Sequence, residues 1–375
     1  MRVLASTKVI DKLEPIQGAD NIELATVGGW KVVVAKNANH KEGNIIVYCE
    51  IDSFLPIEPE FEFLRKSSYT KLSNGTEGFR LKTIKLRGQI SQGLIIPLKD
   101  AISVAERRVS YDDDEALKLI RFLKVAHTLT SAFFDVTELL GISKWDPPLP
   151  AQLSGIAKGS FPGFIEKTDE ERIQNLSSEY EHWKTDSSLM FYATEKLDGS
   201  SVTFYIKDGE FGVCSRNLEL LESEENSLWK AAKSLKIEEK LRTLGKNIAL
   251  QGEIIGEGIQ KNHYKLKGQH VKFFTAFDID LYKKVDFFEF ARIMKDLKLE
   301  TVPYIVNRVS LSPSLSDSQP RGFFKLPNSI EDLLSLAEKK STLEESTWQE
   351  GLVIRSFDNS ISFKVISNKF LLKDD

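Results

Sequence analysis

The stretch Phe191-Tyr192-Ala193-Thr194-Glu195-Lys196-Leu197-Asp198-Gly199-Ser200-Ser201-Val202-Thr203-Phe204-Tyr205-Ile206-Lys207-Asp208-Gly209 decides how this chain of 375 residues is read. The apolar-rich run Met190–Thr194 predicts a strand, and Lys196-Leu197-Asp198-Gly199 follows as a tight turn. Further strands are expected over Ser201–Lys207 and Glu210–Ser215. Asp208-Gly209 between them is a hairpin signal, because the turn that matches strand twist needs positive φ at both central residues. Lys196 therefore sits at a strand end, its position set by backbone on both sides. A Lys-x-Asp-Gly tetrapeptide also makes an ordinary turn with a solvated lysine, so its meaning depends on what lies further out.

Downstream, strands are expected over Ile248–Ile255, Val271–Ile279, Gly351–Phe357 and Ile361–Ile366, the last two joined by Asp358-Asn359. Asp286 with Glu289, and Ser329 with Asp332, read as N-caps of helices Phe287–Leu297 and Ile330–Lys339. This is the pattern of an α+β domain, an antiparallel sheet with helices packed outside.

Upstream, residues 1–100 read as short strands: Ile22–Val27, Trp30–Ala35, Asn44–Ile51, Phe79–Lys85 and Gly93–Leu98, with Gly28-Gly29 and Glu42-Gly43 as breakers. Strands at this spacing suggest a small OB-like β-barrel. Arg80, Lys82, Lys85 and Arg87 fall on one strand and its turn. They are candidates for contacts to RNA phosphates, against the alternative of a charged edge strand that resists aggregation. Asp112-Asp113-Asp114-Glu115 introduces a helix over Ala116–Val125, and a second helix is expected over Ser131–Leu140 before Gly141. Pro147, Pro148, Pro150, Gly155, Gly159 and Gly163 then mark a linker. The expected domains are a barrel over 1–105, a helical linker over 106–160 and a catalytic domain over 161–375.

Composition excludes several classes. A hydrophobic fraction of 41% is that of a globular protein. No run of apolar residues is long enough to span a bilayer, and the N-terminus lacks a signal-peptide core. Two cysteines, Cys49 and Cys214, are too few for a disulfide framework or zinc cluster and suit a reducing compartment. The net charge of −4 is compatible with a local nucleic-acid groove but not with a coat of positive charge. A soluble, cytoplasmic, monomeric protein without membrane contact is expected. The five histidines show no metal-ligand spacing and read as structural or surface residues.

Several polar residues stand where strands should bury them. Glu253, in Gln251-Gly252-Glu253, is a carboxylate inside an apolar strand and is expected to face a cleft. Arg216, in Ser215-Arg216-Asn217, ends the strand beside the one that follows Lys196. The run Phe273-Phe274-Thr275-Ala276-Phe277-Asp278-Ile279 has an aromatic excess that one core face does not use up. Glu350 opens one strand, and Lys364 and Lys369 lie on and just beyond its neighbour. Each alone is more often a solvated residue.

Together and in order, Lys196-Leu-Asp-Gly, Ser215-Arg-Asn, Gly252-Glu-Ile, Phe277-Asp-Ile, Glu350-Gly-Leu-Val-Ile-Arg and Ser362-Phe-Lys resemble motifs I, Ia, III, IIIa, IV and V of the covalent nucleotidyltransferases. The chain is most similar to the ATP-dependent RNA ligases that place an OB domain before the catalytic domain and seal 3′-hydroxyl/5′-phosphate nicks. Lys167–Asn175 resembles the stretch these enzymes carry upstream of motif I. The resemblance implies that Lys196 is the nucleophile that takes AMP from ATP. It implies ATP phosphate contacts from Arg172 and phosphate or ribose contacts from Arg216. Glu253 would bind ribose, and Phe277 would stack on adenine, with Phe274 as second choice. Glu350 would hold Mg²⁺ or Mn²⁺, directly or through water, assisted by Asp198, and Lys364 would contact the α-phosphate. Polynucleotide ligases usually carry Lys-x-Lys in motif V; here position 366 is Ile, and Lys369 is the candidate replacement. The implied partner is RNA or a nicked duplex containing it. The chain stops at Asp375 with no room for a further motif or a C-terminal OB domain, which sets the expectation apart from DNA ligases and capping enzymes.

Overall fold

The computed structural model describes residues 3–72, 75–110, 112–125, 133–145, 155–305 and 324–372. The chain divides into two compact units, Met1–Leu149 and Pro150–Asp374.

In the first unit, Ile45–Cys49 is the central strand, paired antiparallel with Ala5–Val9 on one side and Leu94–Pro97 on the other. It is apolar on both faces. Ile46 and Tyr48 join Trp30, Val32 and Val34 in one core, while Val47 and Cys49 join Leu55, Phe61 and Phe79 in another. Lys12–Pro15, Ile22–Val27 and Trp30–Ala35 form a meander around the first core. The expected strand Phe79–Lys85 is two strands in different sheets, Glu77–Arg80 and Thr83–Leu86, and the second turns back at Arg87-Gly88 into Gln89–Gln92. Both turn residues have positive φ, as that tight turn demands.

Helices Leu98–Arg108 and Asp114–Val125 cover the second core with Ala101, Val104, Ile120 and Leu123. Asp113 caps the latter by accepting the Ala116 N–H at 3.0 Å. The helix expected over Ser131–Leu140 does not form within the described residues 133–140. There, Phe134 O accepts the Thr7 N–H, and the Thr137 hydroxyl accepts the Leu4 and Ala5 N–H groups. The backbone is used up in finishing a strand edge, and Val136, Leu139 and Leu140 enter the second core. The described residues 98–110, 112–125 and 133–142, partly expected as linker, are thus built into the first unit. At the other end Ala157–Ser160 pairs with Leu218–Leu220 in the second unit, and residues 146–154 lie outside the described set.

The second unit holds two antiparallel-rich sheets. One has seven strands, with Ser200–Lys207, Ile248–Gly256 and Gln269–Asp278 at its centre. Its outer face packs Val202, Phe204, Leu250 and Phe273 against helices Ser227–Ser234, Ile237–Arg242 and Phe287–Asp296. The other has five strands, with Phe191–Lys196 paired to Gly351–Ser356, itself paired to Ser362–Ile366. Phe191, Ala193, Leu352, Ile354, Phe363 and Val365 line its outer core, under helix Ile330–Ala337. Asp286 and Ser329 cap their helices as their spacing predicts. Among the described residues, no helix is long and apolar enough to cross a membrane.

Candidate active site

The chain leaves the five-stranded sheet at Lys196 and enters the seven-stranded sheet at Ser200. The turn Leu197-Asp198-Gly199 makes this crossing, which places the lysine where the two sheets meet. Gly199 is required by close approach: a β-carbon there would collide with the carbonyl oxygen of Ile254 on the neighbouring strand. Gly351 is squeezed in the same way against the Val365 carbonyl. On its other side Gly351, which opens the strand Gly351–Ser356, is the register partner of Lys196.

Glu350, just ahead of that strand, then meets the lysine, with Lys196 Nζ 2.6 Å from Glu350 Oε1 and both side chains largely sheltered. Burial works to depress the lysine pKa. The charges of Glu350 and Glu253, the hydrogen bond to Glu350 and the charge of Asp198 outweigh it, and the ammonium stands above the ordinary lysine value. Glu253 faces the opposite balance. Burial drives it up, Lys196 pulls it down, and the charges of Glu350 and Asp198 add to the rise, leaving it at about 7.

The cleft face of the five-stranded sheet continues this arrangement in rows. Thr194, Val353, Lys364 and Arg172 are register partners across four strands, so the lysine and arginine expected at phosphates stand side by side. One row further lie Tyr192, Arg355 and Ser362. Arg355 is buried at 2% exposure and pairs through Nη2 with Glu170 Oε1 at 2.9 Å, while the Ser362 hydroxyl donates to the other carboxylate oxygen. Arg216 is at the rim, more than half exposed and paired with Asp169 at 2.6 Å.

Two expected positions are not brought together with these. Lys369 sits on helix Asn368–Leu371, its ammonium 4.6 Å from the Trp348 ring centroid and 3.6 Å from Glu338, not beside Lys364. Position 366, where a second lysine would stand, is a buried isoleucine. Phe277 is fully buried among Ile165, Tyr205, Cys214 and Ala249, so its face is closed to a base. Phe274 instead lies across from the five-stranded sheet, with the Arg355 guanidinium 5.5 Å from its centroid. In the first unit Arg80 is drawn into an ion pair with Asp52 and over the Trp145 ring at 3.3 Å, whereas Lys82, Lys85 and Arg87 are exposed.

Among the described residues no group of three His, Cys, Asp or Glu side chains is assembled for a metal. Mg²⁺ and Mn²⁺ are hard cations that keep several waters and take one or two carboxylates plus substrate phosphates. Glu350 and Asp198 offer oxygen donors of that kind. Sequence reasoning gave no role to Tyr264, Glu170 or Arg355, although the last two fall in the quoted stretches 167–175 and 350–355, and it read His263 as structural or surface. His263 Nε2 is 3.1 Å from Asp198 Oδ2, and the Tyr264 hydroxyl accepts the Asp198 N–H at 2.7 Å.

Comparison with known proteins bears on the whole chain. An OB-fold domain family matches residues 4–98, and the RNA ligase family matches residues 190–369. No curated protein matches. Among solved structures, the RNA ligase of Naegleria gruberi without ligand, as an aspartate-to-alanine variant, is 38% identical, with a TM-score of 0.79 over 100% of this chain and 99% of that one. A lysine-to-methionine variant of it with AMP and Mn gives 38% and 0.79 over 99% of each chain. The same ligase with PPi gives 38% and 0.78 over all of both chains.

Proposed function

Because this chain belongs to the ATP-dependent RNA ligases that carry an N-terminal OB-fold domain, we propose that it joins RNA 3′-hydroxyl and 5′-phosphate ends at nicks in duplexes, with Lys196 as the adenylated nucleophile. The reading is carried by one observation: the lysine amine lies 2.6 Å from Glu350, in the shared field of Glu253 and Asp198. The substituted positions of the Naegleria ligase support it. They include a lysine, an aspartate two positions on, two glutamates and a second lysine. Lys196, Asp198, Glu253, Glu350 and Lys364 repeat those residue types. The spacing from first lysine to first glutamate, and from second glutamate to second lysine, is identical.

Attack requires a neutral amine, and in the free protein the surrounding carboxylates keep Lys196 charged. A divalent cation held by Glu350 and Asp198 supplies positive charge that offsets those carboxylates and stabilises charge on the departing pyrophosphate. With the carboxylates offset, burial is left to favour the neutral amine. The Lys196 Nζ–phosphorus bond forms as the bond to pyrophosphate breaks. Arg172 and Lys364, adjacent on the cleft face, hold phosphate oxygens in line for that displacement, and Arg216 exchanges Asp169 for a phosphate or ribose oxygen. Glu253 accepts hydrogen bonds from the ribose, and Phe274 takes the adenine ring in place of Phe277. AMP then passes to a 5′-phosphate of RNA, and a 3′-hydroxyl displaces it to close the break. Exposed Lys82, Lys85 and Arg87 contact the nucleic-acid backbone, a sequence-independent grip suited to the repair of RNA breaks.

Incubation with α-labelled ATP and Mg²⁺ or Mn²⁺ tests the first step. Acid-stable label that disappears in Lys196→Ala is expected, and its absence from the unaltered protein overturns the reading. Nicked duplexes with RNA or DNA on either side of the break test the substrate. Sealing that needs an RNA 3′-hydroxyl strand is expected, and equal sealing of all-DNA nicks removes the RNA preference.

A further inference from the structure

The loop between Gly256 and Gly268 touches each of the three residues that follow the nucleophile. Leu197 packs in an apolar cluster with Tyr264, Ile255 and Val302. The Asp198 N–H donates to the Tyr264 hydroxyl at 2.7 Å, and Asp198 Oδ2 lies 3.1 Å from His263 Nε2. The Gly199 carbonyl accepts from Gln260 Nε2 at 3.0 Å. The loop is also tied to the segment that leads into Glu350. The Thr347 hydroxyl donates to the His263 carbonyl at 2.9 Å, and Lys265 Nζ donates to Ser346 Oγ at 2.6 Å. The His263 ring meets Phe370 edge to face, on the helix whose cap residue Ser367 donates its N–H to the Glu350 carbonyl.

The loop bears strain to do this. Gln260, Asn262 and Lys265 all have positive φ, a conformation that costs each non-glycine residue of order 1 kcal/mol. Asn262 holds the shape by bonding Leu266 through both its amide nitrogen and its oxygen.

We propose that Tyr264 and His263 are positioning residues for nucleotidyl transfer, bracing Asp198 from its backbone and its carboxylate so that the Lys196 turn holds a fixed geometry against Glu350. Neither touches the reacting atoms. Tyr264 fixes where the turn runs, and His263 fixes which way the Asp198 carboxylate points. The inference rests on the reading of Lys196 as nucleophile. Partners that orient a carboxylate in this manner are worth roughly 10–100-fold in rate or metal affinity.

The test measures the single-turnover rate of protein labelling with α-labelled ATP over a range of ATP concentrations. His263→Ala is expected to slow labelling roughly 10–100-fold with the half-saturating ATP concentration nearly unchanged. His263→Gln, which keeps an N–H within reach of Asp198, recovers most of the rate. Tyr264→Phe keeps the ring in its apolar cluster but loses the acceptor of the Asp198 N–H. Amide hydrogen exchange of the segment around Asp198, in protein without nucleotide or metal, is therefore expected to accelerate in Tyr264→Phe alone. The proposal is overturned if His263→Ala labels within twofold of the unaltered protein, if Gln does no better than Ala, or if exchange at Asp198 is unchanged in Tyr264→Phe. An unaltered protein that takes no label instead sinks the nucleophile reading itself, which keeps the two failures distinct.

Discussion

Two carboxylates of the second unit, both sheltered between its sheets, end on opposite sides of their ordinary pKa. Glu170 starts with a burial penalty, but Arg355, Lys284 and the Ser362 hydroxyl outweigh it, and it stays well ionised. Glu253 starts with the same penalty and has Lys196 beside it, yet Glu350 and Asp198 share that one cation, and it rises to about 7. The difference is a count of charges. Around Glu170 each negative group has a cation of its own, which is how a fold is bolted together. Around Lys196 three carboxylates compete for one ammonium, an arrangement that costs stability and is relieved only when further positive charge arrives.

The sharpest break of this contrast is removal of the lysine. Lys196→Ala should lower labelling from ATP by roughly 10⁴-fold or more, as deletion of a nucleophile does. Some stability should go with it, because Glu350, Glu253 and Asp198 are left to repel one another without their cation, but the fold should survive, since the lysine fills no core. A large loss of thermal stability measured by calorimetry would mean that the cleft lysine is structural.

Next in size is the bolt. Arg355→Met leaves Glu170 buried with only Lys284 near it, and breaking one partner of a buried pair costs about 3–5 kcal/mol. The sign of its pH dependence follows from the direction of the shift. A carboxylate held below its ordinary value contributes stability above its unfolded pKa, about 4.3, and loses it as pH falls through the folded value. The deficit of Arg355→Met against the unaltered protein, read from urea melts, should therefore shrink as pH drops below about 4.3. A deficit that is constant with pH would assign the effect to packing against Phe274 and not to charge.

A smaller effect tests the cleft from the carboxylate side. Glu350→Gln withdraws the nearest negative charge, and the burial of Lys196 is then less opposed, so its pKa should fall. In metal-free buffer at pH 8, an amine-reactive reagent should modify Lys196 roughly tenfold faster than in the unaltered protein, about one pKa unit. Unchanged reactivity would show that Glu253 and Asp198 alone hold the ammonium.

What could be read from the chain differs between these two regions. The strand, turn and hairpin around Lys196 follow from local alternation and from Asp208-Gly209, and the order of motifs pointed to Glu350 although 153 residues separate the two. The Glu170–Arg355 bolt joins residues 185 apart; both lie in stretches that carry the family resemblance, Lys167–Asn175 and Glu350–Arg355, but nothing in either stretch says that the two side chains meet. Phe274 and Phe277 show a subtler limit. Strict alternation puts Phe273 and Phe277 on one face, but the register shifts between Gln251 and Gly252 and inserts a residue in the partner strand. Phe273 and Ala276 then share the outer core, and Phe277 turns to the opposite face, beneath the 161–165 segment. A bulge is a property of two paired strands and is invisible in either one. The roles of His263 and Tyr264 were hidden for a related reason: their partners are the carboxylate and backbone amide of Asp198, in a turn distant in sequence, not residues at a recognisable spacing.

The smallest effect is the most diagnostic of a site held away from its stability optimum. Glu253 is raised to about 7 in the folded protein against about 4.3 unfolded, so the folded state binds the extra proton between those values. Stability must then fall as pH rises through that window, the reverse of Glu170, and the full penalty is present above pH 7. Glu253→Gln carries no charge at any pH. It should therefore match the unaltered protein near pH 4 and exceed it at pH 8 by about 1 kcal/mol, the shift being discounted for partial exposure and for the attraction of Lys196. The same substitution should slow labelling from ATP, because the ribose loses a charged acceptor. A variant more stable at pH 8 and less active would show that the cleft retains Glu253 for its chemistry. One no more stable at pH 8 than at pH 4 would mean that Lys196 already neutralises it, and the contrast between the two carboxylates would then be one of position alone.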